Sequence, residues 1–382
     1  MNAATAAPVF AALQLPRTLF AEGALAMLPA ELAALGVRRP LLVTDQGVVA
    51  AGIAAKALEA YGRGGEMSVF DAVTENPLFA DVDDGAAFYR QERCDGVVAL
   101  GGGSVIDTAK LIALLATNGG SASDFVGVPQ VPHVASAALV AIPTTAGTGS
   151  EASASAAVHR DATTAAVGMQ SRHLVPAVAL LDPRLTQSLP CGLTAATGID
   201  ALSHCIEGYL SRKSVPLGDA IALDGIAQVA RHLRCAVADG NDAAARAAML
   251  LAGYAGGVSI GMGLGPAHAI ALSCSDQGFA HGILSGIGLV AMLDAARSHA
   301  PERVDAVSAA FGLAQGATLS QGIATLMREL GLPATLGELG YVAGDVDALA
   351  LRAHASHFNL FAPWHPRASE YAAMLRRSLG TA

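Results

Sequence analysis

An acid and a histidine stand four residues apart at Asp200 and His204, and two further histidines, His268 and His281, follow in an almost uncharged region. Residues i and i+4 share one face of a helix, so Asp200 and His204 can converge on one point. One carboxylate and three imidazoles form a ligand set that suits a divalent transition metal. The spacing therefore predicts a metal site, with these four residues acting in catalysis through the metal.

An Asp-x3-His pair also occurs as an ordinary exposed ion pair, which is the alternative interpretation. Here the neighbours Ile199, Leu202 and Ile206 are apolar, which indicates that the helix is largely buried. Buried charged groups need partners, and the two later histidines also stand in apolar surroundings. These contexts favour a common ligand for all four side chains.

A glycine loop lies upstream, where residues 97–110 read VVALGGGSVIDTAK. The pattern indicates a buried strand, a glycine turn and a helix, whose exposed N–H groups and dipole can hold a pyrophosphate. It matches neither the GxGxxG nor the GxxxxGK[ST] pattern, so a simple tight turn is the alternative. The flanking strand and two charged residues favour a nucleotide loop. The predicted cofactor contacts in this segment are Gly101, Gly102, Gly103, Ser104, Asp107 and Lys110.

A second small loop, PTTAGTGSE, occupies residues 143–151. Its hydroxyls and amides could bind a phosphate or the nicotinamide amide, whereas taken alone the segment is more typical of a hydroxyl-rich turn and a helix cap. The predicted cofactor contacts here are Thr144, Thr145, Thr148 and Ser150, and Leu185 is added to them further along the chain.

Asp45 ends the first strong strand pattern. An acid at this place can accept hydrogen bonds from an adenosine ribose and would repel a 2′-phosphate, which favours NAD(H) over NADP(H). The alternative is that Asp45 caps the helix that begins at Gln46.

The composition restricts the partners and the compartment. Of 382 residues, 53% are hydrophobic and 14% are charged, which indicates a well-buried globular chain of two domains. A net charge of −9 without a run of Lys or Arg argues against nucleic acid and anionic membranes. Five cysteines without CxxC spacing, and an N-terminus without signal-peptide features, favour the cytoplasm.

Residues 247–275 carry no Asp, Glu, Lys or Arg, and this stretch is long enough to span a bilayer. It contains six glycines, a proline and His268, without an aromatic belt or a flanking basic cluster. We therefore expect core helices of a soluble domain.

Two kinds of element must position these residues. Short β-rich runs separated by amphipathic stretches at 50–61 and 81–93 predict a parallel sheet whose strand ends bind the ligand. The runs are residues 40–44, 67–70, 96–100, 139–142 and 177–181. From residue 186 onward the pattern is helical, without a convincing strand. We expect an α/β NAD-binding domain over 1–185, an all-α metal and substrate domain over 186–382, and an active site in the cleft between them.

Taken together, the motifs resemble the iron-containing (group III) alcohol dehydrogenase family. They are GGGSVIDTAK, PTTAGTGSE, LLDPRLT, TAATGIDALSHCIEGYLS and, more loosely, GLGPAHAIAL with FAHG. The resemblance implies an NAD(P)-binding α/β domain, a helical domain, and Fe²⁺ or sometimes Zn²⁺ in the cleft, held by Asp200, His204, His268 and His281. It also implies a small alcohol or aldehyde substrate and at least a homodimer. Within the family, the sequence is most similar to that of the 4-hydroxybutyrate dehydrogenase-like members.

The chain departs from the family pattern at two positions. Leu272 stands where members often have a second histidine that relays the alcohol proton, and Ala280 replaces a proline. The stretch between the last two ligands is also shorter. Two other activities stay open: a metal- and NAD-using lyase or cyclase like the dehydroquinate synthase relatives, and a maleylacetate reductase-type reductase. A third alternative is a member that binds the nucleotide without catalysis.

Overall fold

The computed structural model of the chain describes residues 13–62, 67–127, 135–162, 164, 166–313 and 316–380. The N-terminal segment on which the signal-peptide expectation depends lies outside these ranges. The first half of the chain builds a six-stranded, fully parallel sheet in the order β1-β8-β5-β4-β2-β3, with an antiparallel pair β6-β7 beside it. The strands are β1 Arg17–Phe20, β2 Pro40–Val43, β3 Ser68–Phe70, β4 Gly96–Gly101, β5 Leu139–Pro143, β6 Ser155–His159, β7 Ala166–Gln170 and β8 Val178–Leu181.

The central strands are continuous apolar runs because helices cover both faces of the sheet. Every residue of β2, β4, β5 and β8 is buried, as is typical of a parallel sheet between two helical layers. The helices of this half are α1 Leu28–Ala34, α2 Gln46–Ala50, α3 Ile53–Tyr61, α4 Phe79–Gln91 and α5 Gly103–Asn118. The α/β fold class and the parallel sheet predicted from the sequence are confirmed.

The structure also contains three strands that the sequence pattern did not reveal. Strand β1 has four mostly exposed residues at the edge of the sheet, so it lacks the apolar run of the central strands. Strands β6 and β7 form a hairpin with alanine-rich and partly exposed sequences. Short strands without an apolar run or regular alternation give little sequence signal.

The second half of the chain is helical, and no strand follows Leu181 within the described residues. Its helices are α6 Cys191–Leu210, α7 Pro216–Ala238, α8 Ala243–Ile260, α9 Pro266–Ser273, α10 His281–His299, α11 Pro301–Phe311, α12 Leu319–Glu329, α13 Leu336–Leu339, α14 Val346–Ala355 and α15 Ala368–Leu379. The uncharged stretch forms most of α8 and all of α9. Helix α8 is long and apolar enough to cross a membrane, but it packs against α6 and α7 and 67% of it is buried.

Glycines let α10 approach α6 closely enough to bring the ligands together. A Cβ atom on Gly282 would lie 2.2 Å from the carbonyl oxygen of Ala196, and one on Gly286 would lie 2.4 Å from the Ile199 side chain. At Gly282 the clash is with the backbone, so any larger residue there would push the two helices apart. This close contact places His281, at the start of α10, beside Asp200 on α6.

Candidate metal centre and cofactor loops

The four predicted ligands come from three helices and meet at one point. Asp200 and His204 lie one turn apart on α6, His268 lies in α9, and His281 begins α10. The Oδ1 atom of Asp200 lies 3.9 Å, 4.0 Å and 3.8 Å from the Nε2 atoms of His204, His268 and His281, respectively. All four ligand atoms lie within 4.8 Å of one another. Metal bonds of about 2.1 Å place neighbouring ligand atoms about 3 to 3.4 Å apart, so a small contraction would bring all four atoms within bonding reach of one ion.

The electrostatic environment keeps Asp200 and His204 in the form that binds metal. Burial lowers the pKa of His204 to about 4, so its imidazole is neutral at pH 7. Burial alone would raise the pKa of Asp200, but the imidazoles of His204, His281 and His268 outweigh it and hold that pKa below its usual value. The cluster therefore presents an ionised carboxylate and a neutral His204, as metal coordination requires.

Glu207 orients His268 and was missed from the sequence. It is buried on α6, and its carboxylate accepts hydrogen bonds from the backbone N–H groups of Ala267 at 2.7 Å and His268 at 3.3 Å. The same carboxylate lies 2.5 Å from Nδ1 of His268. Burial lowers the pKa of His268, but the hydrogen bond and the charge of Glu207 raise it by a larger amount. The pKa of His268 therefore lies above its usual value. The signal was present in the sequence as an acid at i+3 from His204 on a buried helix.

The donor set fits a metal ion. With Nδ1 held by Glu207, the Nε2 atom of His268 faces the other ligands, buried and without a hydrogen-bond partner among the described residues. A buried polar atom without a partner is costly, and a cation at this position would satisfy it. Ser285 adds a hydrogen bond of 3.0 Å to Oδ1 of Asp200, which fixes that carboxylate.

The two predicted cofactor loops pack against each other at the carboxyl ends of β4 and β5, which are neighbours in the sheet. A Cβ atom on Gly102 would lie 3.2 Å from the Thr145 side chain, and one on Gly103 would lie 2.7 Å from the Thr148 side chain. The backbone N–H of Thr144 donates to the carbonyl of Gly101 at 3.0 Å. The glycines are therefore needed for contact between the loops as well as for any approach of a phosphate.

The second loop also rests on the helical half of the molecule. Gly149 has φ of +64°, and a Cβ atom on it would lie 2.1 Å from the backbone nitrogen of Gly257 on α8. A Cβ atom on Gly147 would lie 2.4 Å from Thr197, one turn before Asp200 on α6. The loop thus bridges the nucleotide edge of the sheet and the helix that carries two ligands.

Three other predicted contacts have local roles. Asp45 lies at the end of β2, beside β4, and one of its oxygens caps α2 by accepting from the N–H of Val48 at 2.8 Å. The hydroxyl of Ser104 donates to the carbonyl of Glu75. Leu185 is buried and packs in the core on one face of the sheet.

Asp107 and Lys110, two of the predicted cofactor contacts, lie beneath the loops, where both side chains bond to other residues of the chain. The ammonium of Lys110 is fully buried and donates to the carbonyls of Ser153 at 3.0 Å and Ser155 at 2.6 Å and to the Ser153 hydroxyl at 3.1 Å. These three bonds use its three donors. Asp107 accepts a hydrogen bond from the hydroxyl of Ser150, so this hydroxyl, another predicted cofactor contact, is also bonded within the protein.

The fold and the ligand cluster define a two-part enzyme that joins a parallel α/β unit to a helical unit with a metal-type site. The chain belongs to the iron-containing alcohol dehydrogenase family. The family model described as iron-containing alcohol dehydrogenase matches residues 16–183, and the one described as Fe-containing alcohol dehydrogenase family, C-terminal, matches residues 194–379.

Its relatives are named dehydrogenases and reductases. The chain is 39% identical to 4-hydroxybutyrate dehydrogenase of Cupriavidus necator, over 94% of this chain and 96% of that protein. It is 33% identical to NAD-dependent methanol dehydrogenase of Bacillus methanolicus, over 88% of this chain and 91% of that protein. A structure of 1,3-propanediol oxidoreductase superposes with a TM-score of 0.91 at 30% identity, covering 97% of this chain and 100% of that one. The structure of sulfoacetaldehyde reductase from Bifidobacterium kashiwanohense in complex with NAD⁺ superposes with a TM-score of 0.91 at 26% identity. This match covers 98% of this chain and 100% of that one. The chain is an oxidoreductase that acts on alcohols.

Proposed function

We propose that this enzyme uses NAD(H) and Fe²⁺ to interconvert a small alcohol or ω-hydroxy acid and its aldehyde. The observation that carries the proposal is the convergence of Asp200, His204, His268 and His281, with the Nε2 atom of His268 buried and lacking a partner among the described residues. The names of the relatives support the substrate class and NAD, and Zn²⁺ is the second metal to test because the same ligands bind it.

The residues of this chain prepare the site for hydride transfer. A divalent cation held by the four ligand residues would supply Lewis-acid polarisation of the substrate oxygen, and NAD(H) would supply the hydride acceptor or donor. Glu207 fixes the ring of His268, and Asp200 supplies a negative charge. The loops at 101–104 and 143–151 hold the cofactor at the edge of the sheet.

The proton of the alcohol needs an exit, because Leu272 offers no imidazole one turn after His268. The side chain of His281 is 52% exposed, so this side of the ligand cluster is open to water. We infer that the proton leaves from the substrate hydroxyl to water at this open side.

The test is anaerobic reconstitution of the metal-free protein with Fe²⁺ or Zn²⁺, followed by a screen of short alcohols, aldehydes and ω-hydroxy acids with both cofactors. We expect one NADH for each alcohol oxidised, and loss of turnover in the protein treated with chelator. Phosphate release without net NADH would instead identify a lyase or cyclase. NADH binding without turnover of any substrate would identify a nucleotide-binding protein.

We also propose that the chain divides near residue 185 into a cofactor domain and a metal and substrate domain, and that it is a cytoplasmic homodimer. In the part of the chain that the structure describes, all strands precede this position and α6 to α15 follow it. The five cysteines, all within the described residues, are unpaired, which suits a reducing compartment. Light scattering on the purified protein measures the oligomeric state directly.

Asp45 is proposed to set the cofactor preference, and Asp45→Asn tests this cleanly. Asparagine preserves the cap on α2 but removes the charge that would repel a 2′-phosphate. We expect the ratio of kcat/KM for NADP⁺ to that for NAD⁺ to rise about tenfold, equivalent to about 1.4 kcal/mol. Asp45→Glu, which keeps the charge, is the control. An unchanged ratio in Asp45→Asn would mean that Asp45 serves only as a helix cap.

A further inference from the structure

A buried polar network joins α5 to the segment that follows the second cofactor loop. From α5, Lys110 bonds to Ser153 and Ser155, as described above. One turn earlier, Asp107 accepts from the hydroxyl of Ser150 with one oxygen and from the backbone N–H of Ala157 at 2.9 Å with the other. The two charged groups are themselves 3.9 Å apart. Five hydrogen bonds thus connect a single turn of α5 to residues 150–157.

The network is costly enough to require an explanation. The Lys110 side chain is fully buried, and burial lowers the pKa of its ammonium to about 8, against the opposing charge of Asp107. A buried ion pair contributes little net stability compared with apolar residues of the same volume. Its remaining physical effect is orientation, because its short, directional bonds allow one arrangement of the two segments.

The segments that the network joins are those that continue directly from the two cofactor loops. Helix α5 begins at Gly103, within the glycine turn, and Asp107 lies four residues later. Ser150 belongs to the 143–151 loop itself. A shift between α5 and residues 150–157 would therefore change the contact of Gly103 with Thr148, where the loops meet.

We propose that Asp107 and Lys110 are positioning residues that hold the two loops at a fixed separation from beneath, without touching the cofactor. This inference rests on the proposed binding of NAD(H) by these loops. It replaces a direct contact of either residue with the cofactor phosphates, for which their hydrogen bonds leave no donor on Lys110.

A double-mutant cycle on Asp107 and Ser150 separates positioning from direct contact. NADH affinity is measured by fluorescence on the metal-loaded protein for Asp107→Asn, Ser150→Ala and the double variant, together with thermal unfolding, metal content and KM for the alcohol. We expect NADH to bind about tenfold more weakly in Asp107→Asn, with metal content and the KM for the alcohol unchanged. In the double variant the two effects should be less than additive, because both substitutions break the same bond.

Two further variants keep the test clear if Asp107→Asn folds poorly. Ser153→Ala removes one of three acceptors of Lys110 and should weaken NADH binding about two- to threefold. Thr108→Val is the control, because Thr108 is also a polar residue of α5, but its hydroxyl bonds only within the helix, to the carbonyl of Ser104. It should leave NADH affinity unchanged.

The outcomes distinguish this inference from the proposed function. If the wild-type protein does not bind NADH, the proposed function fails. If the wild-type protein binds NADH and all variants bind it equally, the network only stabilises the fold and the inference is wrong. Full additivity of the Asp107 and Ser150 effects would also overturn it, because it would show that Asp107 acts independently of the loop.

Discussion

Asp200→Ala and His204→Ala should each remove the bound metal and lower kcat at least about 1000-fold, while NADH still binds. Each substitution deletes one of four ligands, and Asp200 is the carboxylate among them. Loss of Lewis-acid polarisation of the substrate oxygen accounts for several kcal/mol of transition-state stabilisation, and about 4 kcal/mol corresponds to 1000-fold. The cofactor loops lie on the sheet, so their affinity for NADH should persist.

The measurements are metal content after anaerobic reconstitution, turnover with the best alcohol, and NADH binding by fluorescence. His173→Ala is a control, because His173 lies in the turn before β8 at the amino end of the sheet, opposite the cofactor loops. It should keep both metal and turnover. Wild-type turnover in both ligand variants would rule out this site as the catalytic metal centre.

The sequence predicted the central sheet because burial on both faces leaves a continuous apolar run. Strands β2 and β4 have this form, and the helices between them have a clear amphipathic pattern. Strand β1 could not be predicted in the same way, because its four residues are held mainly by backbone bonds to β8 at the edge of the sheet. That pairing joins residues about 160 positions apart, which no local pattern encodes.

The ligand residues could be predicted because their types are chemically unusual in an apolar region. Their convergence depends on close helix contacts, such as that of Gly282 with Ala196, which no local pattern shows. The positioning roles proposed for Asp107 and Lys110 are an example of what the sequence could not predict. A charged residue after a glycine loop is expected to face the phosphate, but the direction of a side chain around a helix depends on tertiary neighbours. In this chain the neighbours are residues 150–157, which include the start of β6, a strand that the sequence pattern did not reveal.

Glu207→Gln should weaken metal binding about 10- to 100-fold, the range typical of substitutions that remove a hydrogen-bond partner of a ligating histidine. The carboxylate faces three donors: the N–H groups of Ala267 and His268 and the Nδ1 side of the His268 ring. A glutamine offers one oxygen acceptor and an NH₂ group that cannot accept. The ring of His268 would lose its fixed tautomer or its orientation, and its Nε2 atom would no longer be held toward the other ligands.

Metal affinity is measured by titration against a competing chelator, with turnover followed at each free metal concentration. Because Glu207 does not itself bind the cation, saturating metal should restore much of the turnover in Glu207→Gln, unlike in Asp200→Ala. Glu31→Gln is the matched control, because Glu31 is also a buried acid but pairs with Arg17 at 3.0 Å, in the sheet half of the molecule. Metal affinity equal to that of the wild type in Glu207→Gln would show that His268 is oriented by its helix alone.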